Sequence, residues 1–276
     1  MSQSPQSFGE FEHAAWADPT LADKYHEHLS ALTRQSIDAL LNAAKVGPAG
    51  RVLDVATGAG YVADEAVRRG ADATGIDFSG AQVEMARRTY PQVRFEVADA
   101  QALPYHEGSF DSVVNAFGMC HLPDPDLALR EAFRVLKVGG WMAFTVWDAP
   151  ERAVGFGAVY AAIRAHGSLD VGLPAGPNFF LFSDAEHSLN AMLRAGFVSP
   201  SFTQVPQAWH MATPDSLFDM VAEGTARAAA TLRAQAPAAR EAIRAALREA
   251  VSRFRVGDHY EVPMPASLAA AVKPAP

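Results

Sequence analysis

Cysteine is nearly absent from this chain: among 276 residues there is one, Cys120, so no disulfide framework can form. Long apolar runs are also missing. No stretch approaches the length needed to cross a bilayer, and the start, Met1-Ser2-Gln3-Ser4-Pro5-Gln6-Ser7, has neither the basic residues nor the apolar core of a signal peptide. A basic excess is missing too. The formal charge is −8, which argues against nucleic acid as a substrate. The expectation is a cytoplasmic protein with no membrane insertion, a small-molecule substrate and no nucleic-acid partner. The oligomeric state stays open, a homodimer being the assembly allowed for. With 49% hydrophobic residues the chain suffices for one large α/β domain with an appended cap.

The most informative stretch is Val52-Leu53-Asp54-Val55-Ala56-Thr57-Gly58-Ala59-Gly60-Tyr61. An apolar run with one acid breaks into a glycine turn, and a helical pattern follows. Gly58 and Gly60 let a ligand approach the backbone, and the next helix offers free N–H groups in its first turn. Asp54 would repel a phosphate and attract an ammonium group. Thr74 to Ser79 reads as a second strand ending in Asp77, about 20 residues beyond the glycines, where a carboxylate accepts both ribose hydroxyls. Val93 to Ala100 reads as a third strand ending in Asp99, and Phe110 to Phe117 as a fourth. Three polar strand ends would then converge on one crevice at the carboxyl edge of the sheet.

Five segments in order resemble the class I S-adenosylmethionine-dependent methyltransferases: Leu53 to Gly60, Gly75 to Ser79, Ala98 to Ala100, Phe110 to Val114, and Arg134 to Gly140. The likeness is greatest to the small-molecule branch with the ubiquinone/menaquinone biosynthesis C-methyltransferases, and spans roughly residues 50 to 148. Ala56 stands where the family often has glycine, a mild change if φ is negative there, and Val138 where it often has proline. The resemblance implies S-adenosyl-L-methionine as cofactor and a doubly wound, Rossmann-like seven-stranded α/β sheet, mostly parallel with an antiparallel last strand and helical cap insertions. It implies that Asp54, with the Ala56, Thr57, Gly58 and Gly60 backbone, holds the methionine end. Asp77 would hold the ribose and Phe78 lie against the adenine. Asp99 would accept from the adenine amino group beside Ala100 and Gln101, and Asn115 and Ala116 would line the sulfonium. Tyr25 lies on an N-terminal helix that in relatives often covers the cofactor. Asp99 as a helix cap or turn acid remains open.

His121 follows the fourth strand, beside the transferable methyl, as a substrate contact or general base. No other catalytic residue is expected, because an activated methyl needs mainly positioning. Metal ligands are not expected: His26-x-His28 is not a helical i,i+4 pair. Substrate contacts are expected from Phe156, Phe179, Phe180, Phe182, Trp209 and Met211, which favour an apolar or aromatic acceptor. The acceptor atom, C, O or N, is not specified. Two alternatives stand beside methyl transfer. One is a cofactor-binding cyclase or sensor of the same fold. The other is an NAD-dependent dehydrogenase, since Gly58 to Ala63 satisfies G-x-G-x-x-(G/A). Against it stand Asp54 before the loop and the lack of any Tyr-x-x-x-Lys pair.

The expected organisation is an N-terminal helical segment over 1–45, a cofactor-binding core over 46–150, a cap insertion over 151–182, and a C-terminal part of the core over 183–276 with a helical insertion at about 214–256. Residues 1 to about 9 look disordered. Ser183-Asp184-Ala185-Glu186 reads as a capping box. A strand is expected from about 202 to 210, a helix over 214–235, and a final antiparallel strand from 260 to 272. The arginines between Arg227 and Arg255 read as a solvated helix face, the alternative being a lid that meets an anionic substrate.

Overall fold

The structure, a computed structural model, describes residues 7–275. In chain order the elements are α1 (Phe8–Trp16), α2 (Pro19–Thr33), α3 (Ile37–Ala43), β1 (Arg51–Val55), α4 (Tyr61–Arg68), β2 (Asp72–Asp77), α5 (Gly80–Thr89), β3 (Arg94–Val97), β4 (Phe110–Ala116), α6 (Pro125–Val135) and β5 (Leu136–Trp147). There follow α7 (Val154–His166), α8 (Ala185–Arg194), β6 (Val198–Val205), β7 (Ala208–Met211), α9 (Ser216–Gly224), α10 (Arg227–Arg233), α11 (Pro237–Ser252), β8 (Arg255–Val256), β9 (His259–Pro263) and β10 (Ala266–Val272). The chain forms two compact units. The sheet unit comprises Thr33–Trp147, Pro177–Val205 and the stretch from Ala266 onward; the helical unit comprises the residues up to Leu32, Asp148–Gly176 and Pro206–Pro265.

In the sheet unit seven strands run in the order β3-β2-β1-β4-β5-β10-β6, and β10 is antiparallel to both of its neighbours. This is the doubly wound sheet the sequence predicts. Strands buried on both faces read as nearly continuous apolar runs. Leu53, Val55, Val113, Phe144 and Val146 pack on one side with Leu129 and Ala132 of α6 and Met192 of α8. Val52, Ala73, Val114 and Ala143 pack on the other with Leu40 of α3, Ala63 of α4 and Val83 of α5. Lys273, just past β10, is buried and reaches the end of α6. Its Nζ donates to the carbonyls of Phe133 and Leu136 at 2.9 and 2.8 Å. A cation at a helix C-terminus satisfies carbonyls that have no partner within the helix.

In the helical unit α7 packs on α11, and α9 on α10 and α11. Ile243, Leu247 and Val251 form the buried stripe of α11 at i, i+4 and i+8. Arg244 lies over the Phe218 ring at 4.1 Å and bonds Asp219, while Arg248 bonds Asp215. These two arginines therefore anchor α11 to α9 through acids of the same unit. The sheet β7-β9-β8 completes the unit.

Several local expectations are corrected. Ser7 caps α1 in a capping box with Glu10, so residues 7–9 are ordered; the rest of that expectation, residues 1–6, lies outside the described residues. The cap of α8 is Asp184, which accepts from the His187 N–H, while the Ser183 hydroxyl donates to the Phe180 carbonyl in the preceding turn. The strand expected over 202–210 is two strands, β6 in the large sheet and β7 in the small one, separated at Pro206. The final strand divides likewise into β9 and β10 at Met264-Pro265. Proline lacks the N–H a ladder needs, so both breaks fall where the chain changes sheet. The helix expected over 214–235 splits into α9 and α10 at Thr225, whose hydroxyl accepts from the Ala229 N–H.

Replacing Lys273 by methionine leaves buried carbonyls without a donor. An uncompensated buried acceptor costs roughly 1–3 kcal/mol. We expect Lys273→Met to lower the urea midpoint by a corresponding amount with the m-value unchanged; an unchanged midpoint would show that water replaces the ammonium without loss.

Candidate functional site

The strand β1 ends in the middle of the sheet, and its last polar residue is fully buried. Asp54 Oδ2 accepts from the Thr57 hydroxyl at 2.5 Å and from the Ala63 N–H at 3.2 Å, while Oδ1 has no hydrogen-bond partner among the described residues. Burial pushes the carboxyl up to about 7, against the pull of those two donors and with a further push from Asp77. The chain then turns sharply. Ala56 has φ 56°, so the condition under which alanine is a mild replacement there is not met. A left-handed non-glycine residue costs roughly 1–2 kcal/mol. Gly58 and Gly60 follow with φ 54° and 88°. A Cβ on Gly60 would lie 2.6 Å from the Phe95 ring, whereas one on Gly58 would meet only Gln82 Oε1 at 3.9 Å. Gly60 thus serves packing, and Gly58 leaves the loop open to a ligand.

Asp77 ends β2 beside this loop. Its Oδ2 accepts from the Gly58 N–H at 3.0 Å and its Oδ1 from the Ser79 N–H at 2.9 Å. Burial raises its carboxyl above the usual range; those two N–H groups and the His121 charge hold it down. Phe78 is half-buried. The strand β3 stops at Val97, so Asp99 lies in the loop beyond it. Asp99 is exposed, and its Oδ1 accepts from the Gln101 N–H at 2.8 Å. Gln101 Oε1 in turn accepts from the Asp124 N–H at 2.8 Å, and Ala100, between Asp99 and Gln101 in sequence, is buried.

The end of β4 closes the other side. Asn115 is buried; its Oδ1 accepts from the Gly118 N–H at 2.9 Å and its Nδ2 has no hydrogen-bond partner among the described residues. Ala116 is half-buried, and Phe117 has φ 59°. Phe117 stacks on Trp147 with ring centroids 4.2 Å apart. A Cβ on Gly118 would lie 2.5 Å from the Ala56 Cβ, so the loops after β1 and β4 are pressed together there. His121 sits half-buried in the turn Met119–His121, its ring edge-on to Phe179 at 6.0 Å. Phe179 in turn meets Phe180 at 5.1 Å.

The sheet unit therefore gathers Asp54, Ala56, Thr57, Gly58, Gly60, Asp77 and Asn115 at adjoining strand ends, with His121 and Phe179 in contact. Phe182 is a core residue instead. It is 3% exposed and packs edge-on to Phe144 at 5.5 Å, because the turn Leu181–Ser183 tucks it under β5. Tyr25, Phe156, Trp209 and Met211 belong to the helical unit, where the last three are buried and Tyr25 lies edge-on to Trp16. Sequence reasoning missed Phe95, Phe117, Gly118 and Trp147. The lone glycine at 118 was the available signal; the aromatics look like ordinary strand residues.

Residues 53–144 match the family described as a methyltransferase domain. The ubiquinone/menaquinone biosynthesis C-methyltransferase UbiE of Geotalea daltonii is 38% identical over 115 residues, 38% of this chain and 49% of that protein. The chain thus spans about half the length of the curated relatives it matches. Among solved structures, phosphoethanolamine N-methyltransferase 2 of Haemonchus contortus, in complex with S-adenosyl-L-methionine, superposes with a TM-score of 0.61 at 18% identity, over 100% of this chain and 62% of that one. The [4+2]-cyclase SpnF superposes with a TM-score of 0.52 at 24% identity, over 87% of this chain and 81% of that one. The fold is that of the Rossmann-like methyltransferases. The stretch from Leu53 to Phe144 matches a methyltransferase domain and is similar in sequence to the ubiquinone/menaquinone C-methyltransferases.

Asp54 makes the free protein's stability pH-dependent. Below the unfolded value of 3.8 its carboxyl is protonated in both states; the folded state keeps the proton up to about 7 while the unfolded state has released it. Stability is therefore lost as pH rises from about 4 to 7 and is level above. Asp54→Asn should abolish that contribution. We expect ligand-free Asp54→Asn to gain on the wild type by on the order of a few kcal/mol between pH 4 and pH 8, read from urea unfolding. A pH-independent difference would mean that the carboxyl is already ionised near 4.

Proposed function

We propose that this protein transfers a methyl group from S-adenosyl-L-methionine to a small apolar or aromatic metabolite. The observation that carries the reading is the buried Asp54 carboxylate, whose Oδ1 lacks a partner beside an open glycine loop. An unpaired buried carboxylate is costly, and an ammonium group placed against it lowers that cost and keeps it ionised. A pyrophosphate would add negative charge beside two buried carboxylates, Asp54 and Asp77. The same geometry therefore disfavours the dehydrogenase reading.

The donor set fits the cofactor. Asp54, with the backbone from Ala56 to Gly60, takes the methionine end, and the buried Nδ2 of Asn115 is a second group awaiting a partner. Asp77, already oriented by Gly58 and Ser79, takes the ribose hydroxyls. Phe78, Asp99, Ala100 and Gln101 surround the adenine. The cofactor supplies a methyl group already activated on a sulfonium. The chain's own task is to hold the acceptor in line and exclude water, which is worth roughly 7–11 kcal/mol. Phe179 and Phe180 offer an apolar surface to the acceptor, and His121 beside them contacts it or takes its proton.

A second reading has one observation in its favour. The fold is shared with a protein named as a [4+2]-cyclase, so the fold by itself does not require methyl transfer. Methyl-labelled cofactor offered with a metabolite extract separates the two: label should appear in an apolar small molecule. Binding of S-adenosylhomocysteine without any label transfer would instead favour the cyclase or sensor.

Two variants test the roles. Losing hydrogen bonds to a charged group costs roughly 1.5–3 kcal/mol, so Asp77→Ala should weaken S-adenosylhomocysteine binding about ten- to a hundredfold in calorimetry. An unchanged affinity would remove Asp77 from the ribose site. If His121 acts as a base, His121→Ala should slow single turnover by about 10²–10⁴-fold with cofactor affinity unchanged. A fall of less than about threefold would leave His121 a shape-determining residue.

A further inference from the structure

The helical unit carries a cluster that methyl transfer does not use. His210 on β7 stands directly opposite Glu261 on β9, and His259 precedes Glu261 by two positions on the same strand. Residues at i and i+2 share a sheet face, as do directly opposed residues of an antiparallel pair. All three side chains therefore project from one face of the small sheet. Both imidazoles aim at a single oxygen: His259 Nε2 lies 2.8 Å and His210 Nδ1 3.7 Å from Glu261 Oε1. One ligand atom from each residue falls within 4.8 Å of the others.

We propose that His210, His259 and Glu261 form a site for a divalent transition-metal ion, zinc(II) by its donor set. Two imidazoles and a carboxylate are borderline nitrogen and hard oxygen donors of the kind zinc takes, with bonds of about 2.0–2.2 Å. Such bonds place neighbouring tetrahedral ligands about 3.3 Å apart, so side-chain rotations on the order of an ångström suffice. The surroundings suit a metal further. Val256 pairs with His259 across a two-residue turn, Gly257-Asp258, which sets Asp258 next to the ring. Asp258 Oδ1 lies 3.3 Å from His259 Nδ1. A carboxylate on the far ring nitrogen fixes the tautomer and directs the Nε2 lone pair to a bound ion, which would take the place of the present Nε2–Glu261 contact, the arrangement of metal-bound histidines.

Half-exposed flanks leave room for water as a fourth ligand. The consequence is a clip. His210 and His259 bracket α9, α10 and α11 in the chain, so an ion held by both joins the two ends of that helical excursion. Restricting the ends of a long loop stabilises the folded state, and a ligand that binds only the folded form adds stability by mass action. The proposal is independent of the methyl-transfer reading.

The test is calorimetric titration of the untagged, full-length protein with zinc chloride in a non-chelating buffer. One equivalent should bind with micromolar Kd or tighter, and zinc should raise Tm. His210→Ala with His259→Ala together should abolish both effects, with circular dichroism unchanged. Asp258→Asn should weaken binding about 10–100-fold. Glu261→Gln, which keeps size and removes charge, should also weaken it at least tenfold. Cobalt(II) in place of zinc should show the intense visible absorption of a four-coordinate site. No binding at about 100 μM zinc, or an affinity unchanged in the double variant, would overturn the proposal.

Discussion

A carboxylate placed in the centre of a doubly wound sheet is the constraint around which the sheet unit is arranged. Asp54 is fully buried, and two of its bonds come from the loop and helix that follow it, Thr57 and Ala63. To bring those donors back onto the strand, the chain must reverse within a few residues. That reversal requires left-handed φ at Ala56, Gly58 and Gly60. It draws the first turn of α4 down onto the strand end, so that free N–H groups and a buried acid share one spot. The unpaired Oδ1 remains as a standing demand for a cation.

The neighbouring strands answer to the same place. Asp77 is held by the Gly58 N–H, so the second acid is positioned by the first acid's loop. The loop after β4 closes on Ala56 through Gly118, where no side chain fits, and Phe117 accepts a left-handed backbone to stack on Trp147. Two strained non-glycine residues at adjoining strand ends are the kind of local cost that persists where surrounding structure over-determines it. Here the buried core beneath supplies that determination, with Leu53, Val113 and Phe144 in one layer and Val52, Val114 and Ala143 in the other.

The helical unit is built on a different economy. Its helices are rich in alanine and arginine, and two of the arginines, Arg244 and the half-exposed Arg248, hold α11 to α9 through Asp219 and Asp215. The unit is assembled from chain segments that leave and rejoin the large sheet, and proline stands at one departure, Pro206 before β7, and at one return, Pro265 before β10.

Much of the sheet unit was legible in residue order. Apolar strands, glycine turns and the acids Asp54, Asp77 and Asp99 have local signatures, because strand ends and tight turns restrict residue type over a few positions. The helices α5 to α7 were readable for the same reason, while the antiparallel last strand was implied by the family resemblance and not by any local signature. What sequence could not determine depends on partners far along the chain. Whether 202–210 is one strand or two is decided by which sheet each half joins. Whether Phe182 lines a site or fills the core depends on Phe144 lying beneath it, and whether alanine at 56 is mild depends on a φ set by the loop's closure. His210 and His259 acquire a common neighbour, Glu261, only when β7 and β9 pair. Local restriction is written in the sequence; long-range registration, which places one segment against another, was decided by the tertiary structure alone.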